Sequence, residues 1–407
     1  MRHRILIIAP FFSTEFLSRP FFAAKVLGSI ATADVLTSNF DHHKKTKREN
    51  LHIEEIRKIS YVPTLSYSKN VSLKRFISHA LFSLRSGLYF RKFGNDYDAV
   101  YVTTPFNLSA LLVLLQAGDK KKILDVIDIW PDSLPFPPKI KKAFRPFFSI
   151  WKQSFQKAVK RADFLMTVSD EFLRESLRYF HKEAGCAKRI YIGHDFLACQ
   201  PFREKGFITI AYVGNLGNLC DLGILINVLE TKEFLGKYRL HIIGDGDIRS
   251  RLIEQLQQKN IPYNYFGIIY DKDRLGKILG EADLGFNGYK STNASFSYKA
   301  NTYMAANLPI INSMPGDLHN LVDEKRIGLN YVSGDADSLG EVLRSVNPEL
   351  LIHLKENCKK YFYENLASER IEEEMRSFFT EKVGLGQPVR HGRACPQNGR
   401  SSGCGER

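Results

Sequence analysis

The sequence predicts an α/β protein made of two doubly wound domains that face each other across a cleft. Three observations carry this reading. Short apolar runs rich in β-branched residues alternate with helical patterns through most of the chain, as in sheets built from βα repeats. These runs form two series, separated by the strand-free stretch Cys199 to Lys205. The length of 407 residues suits two domains of roughly 100–200 residues each.

The first series runs Arg4 to Ala9, Ala33 to Thr37, Ala99 to Thr103, Ile123 to Ile127, Asp163 to Val168 and Ile190 to Ile192. The second runs Ile208 to Val213, Leu240 to Ile243, Tyr263 to Gly267, Leu284 to Asn287, Pro309 to Asn312 and Leu329 to Val332. An N-terminal domain over 1–198 and a C-terminal domain over 199–383 follow, with the last helices free to pack back on the first domain. Residues 384–407 are rich in Gly, Arg and Ser without apolar periodicity, and predict a disordered tail. The opening run Ile5 to Pro10 lacks the length and small-residue cleavage site of a signal segment, so it reads as a first strand. No apolar run approaches the ~20 residues that span a bilayer, so membrane contact would be peripheral. The six cysteines form no C-x-x-C pair, which predicts a reduced, cytoplasmic chain with no metal site.

The charge is uneven. The chain carries 58 Lys+Arg against 44 Asp+Glu, and its whole formal charge of +14 lies in the first 200 residues. Residues 56–95 and 133–162 contain no acidic side chain, yet each window holds eight basic ones. Apolar residues recur at helical spacing in both, including Leu73, Ile77, Leu84 and Leu88 in the first and Phe144, Phe147, Trp151 and Phe155 in the second. Basic amphipathic helices of this kind suit an anionic membrane face, with Lys74, Arg75, Lys141, Lys142, Arg145, Trp151 and Lys152 as the contact residues. Alternatively, the apolar faces pack on the domain's own sheet and the lysines are simply solvated. Nucleic acid is the weaker rival, because no recognised nucleic-acid-binding signature accompanies the charge.

In the second series a strand runs into Gly214-Asn215-Leu216-Gly217 and then into a helix, an arrangement that presents backbone N–H groups to a phosphate. Gly244-Asp245-Gly246-Asp247 follows the next strand, and turn chemistry explains its aspartates better than metal binding does. A third segment, Ser297 to Ile310, has Lys299 opening a helix that leads to a buried strand. No G-x-G-x-x-G or Walker sequence follows the first strand, which disfavours nicotinamide and P-loop enzymes.

The order of these parts resembles the retaining GT-B glycosyltransferases of the bacterial surface-polysaccharide group, of the glycosyltransferase family 4 type. The resemblance rests on Tyr212 to Gly217, Gly244 to Gly246, Phe266-Gly267, Ala282-Asp283-Leu284 and Lys299 to Ile310, in that order. Asp128-Ile129-Trp130-Pro131-Asp132-Ser133 is similar to a segment of the family's first domain. It implies two Rossmann-like domains, a nucleotide-diphosphate sugar as donor, and a lipid-linked glycan as acceptor. Donor-binding residues would be Arg19, Gly214, Asn215, Gly217, Lys299 and Thr302. Asp128 would orient or deprotonate the acceptor hydroxyl, unless it is a turn residue beside Trp130-Pro131; Lys299 is otherwise a solvated helix-start lysine. No metal or cofactor is implied, and the place of work would be the inner face of the cytoplasmic membrane.

The chain departs from the family where two glutamates with seven residues between them are common: Ala294 and Thr302 stand there. The loop after the first strand reads Phe11-Phe12-Ser13-Thr14-Glu15 in place of a glycine-rich one. A non-catalytic relative that binds a polyanion and a nucleotide-sugar 2-epimerase therefore remain as alternatives.

Overall fold

The computed structural model describes residues 2–14, 18–42, 44–48, 50–68, 72–134, 138–197, 205–290 and 296–386, without the side chains of Pro138 and Lys141. The expected positions Glu15, Cys199 and Ala294, and residues 387–407 of the expected tail, lie outside the described residues.

The N-terminal domain begins with β1 (Arg4–Ile8), α1 (Arg19–Ile30), β2 (Thr32–Ser38), the short antiparallel pair β3 (Phe40–Asp41) and β4 (Thr46–Lys47), β5 (Ile56–Val62) and α2 (Leu73–Phe93). It continues through β6 (Ala99–Thr103), α3 (Asn107–Gln116), β7 (Lys121–Val126), α4 (Pro138–Ala143), α5 (Arg145–Arg161), β8 (Phe164–Thr167), α6 (Asp170–Leu177) and β9 (Ala187–Arg189). The C-terminal domain begins with β10 (Ile208–Val213), α7 (Leu222–Leu229), β11 (Tyr238–Ile243), α8 (Arg249–Gln258), β12 (Tyr263–Gly267), α9 (Lys272–Gly280) and β13 (Leu284–Asn287). It ends with α10 (Tyr298–Ala305), β14 (Ile310–Asn312), α11 (Asp317–Lys325), β15 (Gly328–Asn330), α12 (Ala336–Ser345), α13 (Pro348–Asn365) and α14 (Ser368–Ser377).

Each domain holds one parallel sheet. The first has the order β5-β2-β1-β6-β7-β8-β9 and the second β12-β11-β10-β13-β14-β15. Strand order reverses between β1 and β6 in one sheet and between β10 and β13 in the other, so a crevice opens at the carboxyl end of each pair. The central strands are buried on both faces, which is why they read as continuous apolar runs. The chain adopts the GT-B arrangement of two Rossmann-like domains.

Two strands differ from expectation. Ile56–Val62 is an edge strand with charged and polar residues along its exposed positions, so it lacks the apolar signature of its neighbours. The last strand of the first sheet lies at Ala187–Arg189, upstream of the expected Ile190 to Ile192. The tail boundary also shifts: Leu385 is fully buried, and the Gly384 carbonyl accepts a hydrogen bond from Lys121 Nζ at 2.9 Å. Gly384 to Gly386 therefore belong to the fold. The chain ahead of them returns to the first domain, where α14 packs on α1 and Lys25 pairs with Glu372 at 2.7 Å.

Arg19 corrects a further expectation. It opens α1 with Pro20 behind it, and its guanidinium is buried rather than turned to a diphosphate. Nε donates to Asp125 Oδ2 at 2.8 Å and Nη2 to Oδ1 at 3.3 Å, while Nη1 donates to the carbonyls of Ile190 at 2.8 Å and Tyr191 at 3.0 Å. Tyr101 Oη also donates to Asp125. Burial opposes the charge on Arg19, but the Asp125 carboxylate more than offsets it and holds the guanidinium above its ordinary pKa. Its donors are spent inside the protein, so Arg19 is an anchor.

Removing one partner of a buried pair strands the other charge, at about 3–5 kcal/mol. Arg19→Met and Asp125→Asn are each expected to lower unfolding free energy by about that amount, as read from urea midpoints. Unchanged midpoints would show that the pair does not carry this load.

Candidate functional site

A cleft of about 510 Å³ lies at the carboxyl ends of β10 and β11 and beside α10, lined by Gly214, Asn215, Gly244, His194, Lys299 and Thr302 among others. Four of the six expected donor residues, Gly214, Asn215, Lys299 and Thr302, meet there. Gly217 does not line it, and Arg19 lines a different cavity.

The glycines act differently from the sequence expectation. The Gly214 N–H donates to Ile243 O at 2.9 Å and the Gly217 N–H to Asn215 O at 3.0 Å, so neither is free for a phosphate. Among the described residues, only the Asn215 N–H of the three lacks a partner. What the loop requires is close approach: a Cβ on Gly244 would sit 1.9 Å from the Gly214 carbonyl oxygen, and φ there is +132°. Glycine lets the two strand-end loops cross in contact. Asp245 closes its own turn, accepting from the Gly246 N–H at 2.8 Å, which matches the turn reading.

Lys299 is held from several sides. Ser297 caps α10 by accepting from the Ala300 N–H at 3.1 Å, and its hydroxyl donates to Asn287 Oδ1 at 2.7 Å. Asn287, Asn312 and Asn330 form a side-chain ladder across the ends of β13, β14 and β15, with both steps at 2.8 Å. Tyr303 ties the helix to the sheet, accepting from the Val213 N–H at 2.9 Å and donating to Phe286 O at 3.0 Å. The Lys299 ammonium then lies 4.6 Å from the centre of the Tyr212 ring and 4.3 Å from that of Tyr289. Burial lowers its pKa to about 8, because the aromatic rings replace water only in part. A desolvated cation of this kind is a strong anion partner.

His194 was not anticipated. Its Nδ1 lies 2.7 Å from the Asp195 carbonyl and its Nε2 3.4 Å from Thr302 Oγ1, and burial lowers its pKa, so the ring is neutral. A lone histidine after the first domain carries no motif; only its contact with α10 reveals it. Thr302 is buried, and its hydroxyl donates to the Tyr298 carbonyl at 3.2 Å.

A second, largely apolar cavity of about 440 Å³ lies between the domains, lined by Phe11, Arg19, Thr104, Ile127, Ile192 and Tyr298 among others. Tyr298 lines both cavities, so they adjoin. Asp128 lines neither, and its contacts match the turn reading given beside the catalytic one. Its Oδ1 accepts from the Ile129 N–H and from Ser133, and its Oδ2 accepts from Trp130 Nε1 at 2.7 Å. Burial raises its pKa, although these donors favour the charged form. It closes the turn after β7, with both oxygens engaged. Among the described residues, no group of three His, Cys, Asp or Glu side chains is placed to hold a metal ion.

The basic windows form α2, α4 and α5, and no described helix is long and apolar enough to cross a membrane. The orientation of α2 decides between the two readings of its apolar face. It buries Ser78, Ser83, Ser86 and Gly87 together with Phe82 and Phe90, and leaves Leu73 75% and Leu88 63% exposed. Small residues let α2 approach α3 closely: Ser86 and Ser109 hydroxyls are 2.7 Å apart, and a Cβ on Gly87 would be 3.2 Å from Leu112. On α5, Phe147 and Ile150 are likewise exposed.

Of the expected contact residues, Lys74, Lys142 and Arg145 are exposed, and Lys152 pairs with Asp132 at 2.7 Å. Trp151 is partly buried against Trp130, Phe76 and Phe147. The Lys141 side chain lies outside the described residues. Arg75 is a correction: it is 7% exposed, with its guanidinium 4.9 Å from the Trp130 ring centre and 5.9 Å from those of Phe11 and Tyr67. Aromatic faces hold it inward by cation–π attraction.

No protein-family model and no curated protein sequence matches this chain. Solved structures do match. Sucrose-phosphate synthase from Thermosynechococcus elongatus superposes with a TM-score of 0.71 at 17% identity, over 94% of this chain and 100% of that one. The HepE protein of Anabaena in complex with UDP-glucose gives 0.65 at 13%, over 94% and 99%. WaaG, a glycosyltransferase involved in lipopolysaccharide biosynthesis, gives 0.65 at 14%, over 92% and 99%. At these identities the likeness establishes the GT-B fold.

Lys299 loses its charge as pH rises through about 8, so affinity for a nucleoside diphosphate is expected to fall between pH 7 and 9. A charge-assisted hydrogen bond contributes about 1.5–3 kcal/mol, so Lys299→Met should weaken binding roughly 10- to 100-fold and flatten the pH profile. Calorimetric titration of UDP across that range reads both effects, and a pH profile that persists in the variant would remove Lys299 from the site.

Proposed function

We propose that the chain is a glycosyltransferase, of the hexosyltransferase type, that moves a sugar from a nucleotide-diphosphate sugar to a lipid-linked or glycan acceptor in surface polysaccharide synthesis. The observation that carries this reading is the adjoining of the two cavities at Tyr298. One holds a desolvated cation and the Asn215 N–H, which has no partner among the described residues, and the other opens on the strand ends of the opposite domain.

The donor's diphosphate would lie against Lys299 and the Asn215 N–H. As the bond from the anomeric carbon to the phosphate oxygen breaks, its electron pair passes to the diphosphate. A fixed cation in a desolvated pocket stabilises that developing charge more than the ground state. The acceptor hydroxyl, arriving from the interdomain cavity, forms the new bond to the anomeric carbon and passes its proton to the departing phosphate oxygen. Asp128 is not needed as a base. We propose the retaining outcome, with no metal and no cofactor, because the nucleotide sugar is itself the substrate. Neighbours solved with UDP or UDP-glucose make uridine nucleotides the first donors to test.

The exposed apolar and basic faces of α2, α4 and α5 support work at an anionic leaflet, on the cytoplasmic side, and not on nucleic acid. Thr302, in place of a carboxylate, favours one second reading: a non-catalytic relative that retains nucleotide binding.

In a thermal-shift screen of nucleotide sugars, a ligand at 100 times its Kd stabilises by about 2.7 kcal/mol, so at least one should raise Tm by several degrees. Transfer or hydrolysis of that ligand separates an enzyme from a non-catalytic binder, and no shift with any nucleotide would overturn the reading. Vesicle sedimentation tests the membrane side. Binding should rise with anionic lipid and fall with salt, and Lys142→Glu with Arg145→Glu should weaken it at least tenfold, since each base contributes about 1 kcal/mol. Equal binding to neutral and anionic vesicles would sink that part.

A further inference from the structure

A third cavity, of about 360 Å³, runs between α2, α3 and α5, walled by Phe76, Ile77, Ala80, Phe106, Ile150 and Trp151. We propose that it is a groove for a single hydrocarbon chain of an anionic lipid, and that it receives the apolar tail of the acceptor. This inference rests on the lipid-linked acceptor proposed above.

Three observations support it. The groove leads to the chemistry: Pro105 lines both it and the interdomain cavity, and the Phe106 ring lies 5.0 Å from that of Phe11, which lines the interdomain cavity. A chain lying in the groove therefore brings its head to the cleft. Its mouth is apolar and open, with Ile77 42% and Ile150 66% exposed on either side. Its charge surroundings are mainly basic: α2, α3 and α5 together contain ten Lys or Arg and no Asp or Glu, with Lys152 paired to Asp132 and Arg75 turned inward. That field favours an anionic amphiphile over a neutral one and disfavours a cationic helix. The small buried residues of α2 keep the helices close at the floor while the larger ones stand at the rim, which leaves a slot rather than a filled core.

The chain's two tryptophans report on the groove. Trp151 lines it, and Trp130 packs against Trp151 with ring centres 5.8 Å apart. The test is quenching of tryptophan emission in the full-length protein by a brominated dodecyl phosphate kept below its micelle concentration. Saturable loss of about half the emission is expected, with dodecyl phosphate competing and inorganic phosphate not. Ala80 is exposed, so Ala80→Phe fills the groove without disturbing the core. It should raise the apparent Kd for the alkyl phosphate tenfold or more while leaving Tm and the nucleotide-induced shift unchanged. Equal affinity in the variant would overturn the groove. Quenching by brominated vesicles but not by the monomeric probe would also overturn it, and would make this face a bilayer-docking surface only. Because the readout is chain binding, it succeeds or fails independently of nucleotide binding and of sugar transfer.

Discussion

The buried bidentate pair of Arg19 and Asp125 is the interaction on which the rest of the structure depends. It joins the first turn of α1 to the end of β7, beside the switch point of the first sheet, and its remaining donor reaches the carbonyls of Ile190 and Tyr191. Those two residues begin the segment that leaves the domain. The next carbonyl along, Ile192, accepts from Asn301 on α10 at 2.8 Å, and the His194 backbone bonds to Leu366 and Ser368. The position of α10, and with it Lys299, is thus tied through a few hydrogen bonds to an ion pair in the other domain. Such a pair adds little over a well-packed apolar core, but it admits few alternative geometries, and half of it is worse than none.

The cleft around Lys299 follows the same logic of enforced closeness. Glycines let two loops cross, an asparagine ladder holds the cap of α10, and Tyr303 pins the helix to the sheet. Lys299 is left between two tyrosine rings, charged but poorly solvated. An arriving anion would complete its surroundings. The depressed pKa and the affinity such a cation would have for an anion have one cause, the removal of water.

The outer face of the first domain shows the reverse arrangement. Where α2 meets α3, serines and a glycine are buried because two backbones lie close, and the leucines of the apolar stripe stand in solvent. Periodicity locates an apolar face. It does not say whether that face meets the protein's own core, and here the close packing of small residues decided that it does not.

Both series of strands and the parallel class were legible in the sequence, because buried βα repeats write their periodicity locally; Gly214, Asn215, Lys299 and Thr302 were singled out by the resemblance to a known family. The edge strand Ile56–Val62 was not, since its exposed positions carry charges. Asp128 took the turn role that its neighbours Trp130 and Ser133 allow. Arg19 and Arg75 misled for one reason: an isolated charge in a loop or helix does not reveal whether its partner is water, a ligand or a side chain far along the chain. His194 was silent on the same ground, being meaningful only against Thr302. What the sequence by itself determined was the fold and the position of the glycine loops after β10 and β11, properties of local pattern and order. What only the tertiary structure decided was which charges are spent inside and which faces stay open, because those depend on contacts between segments far apart in the chain.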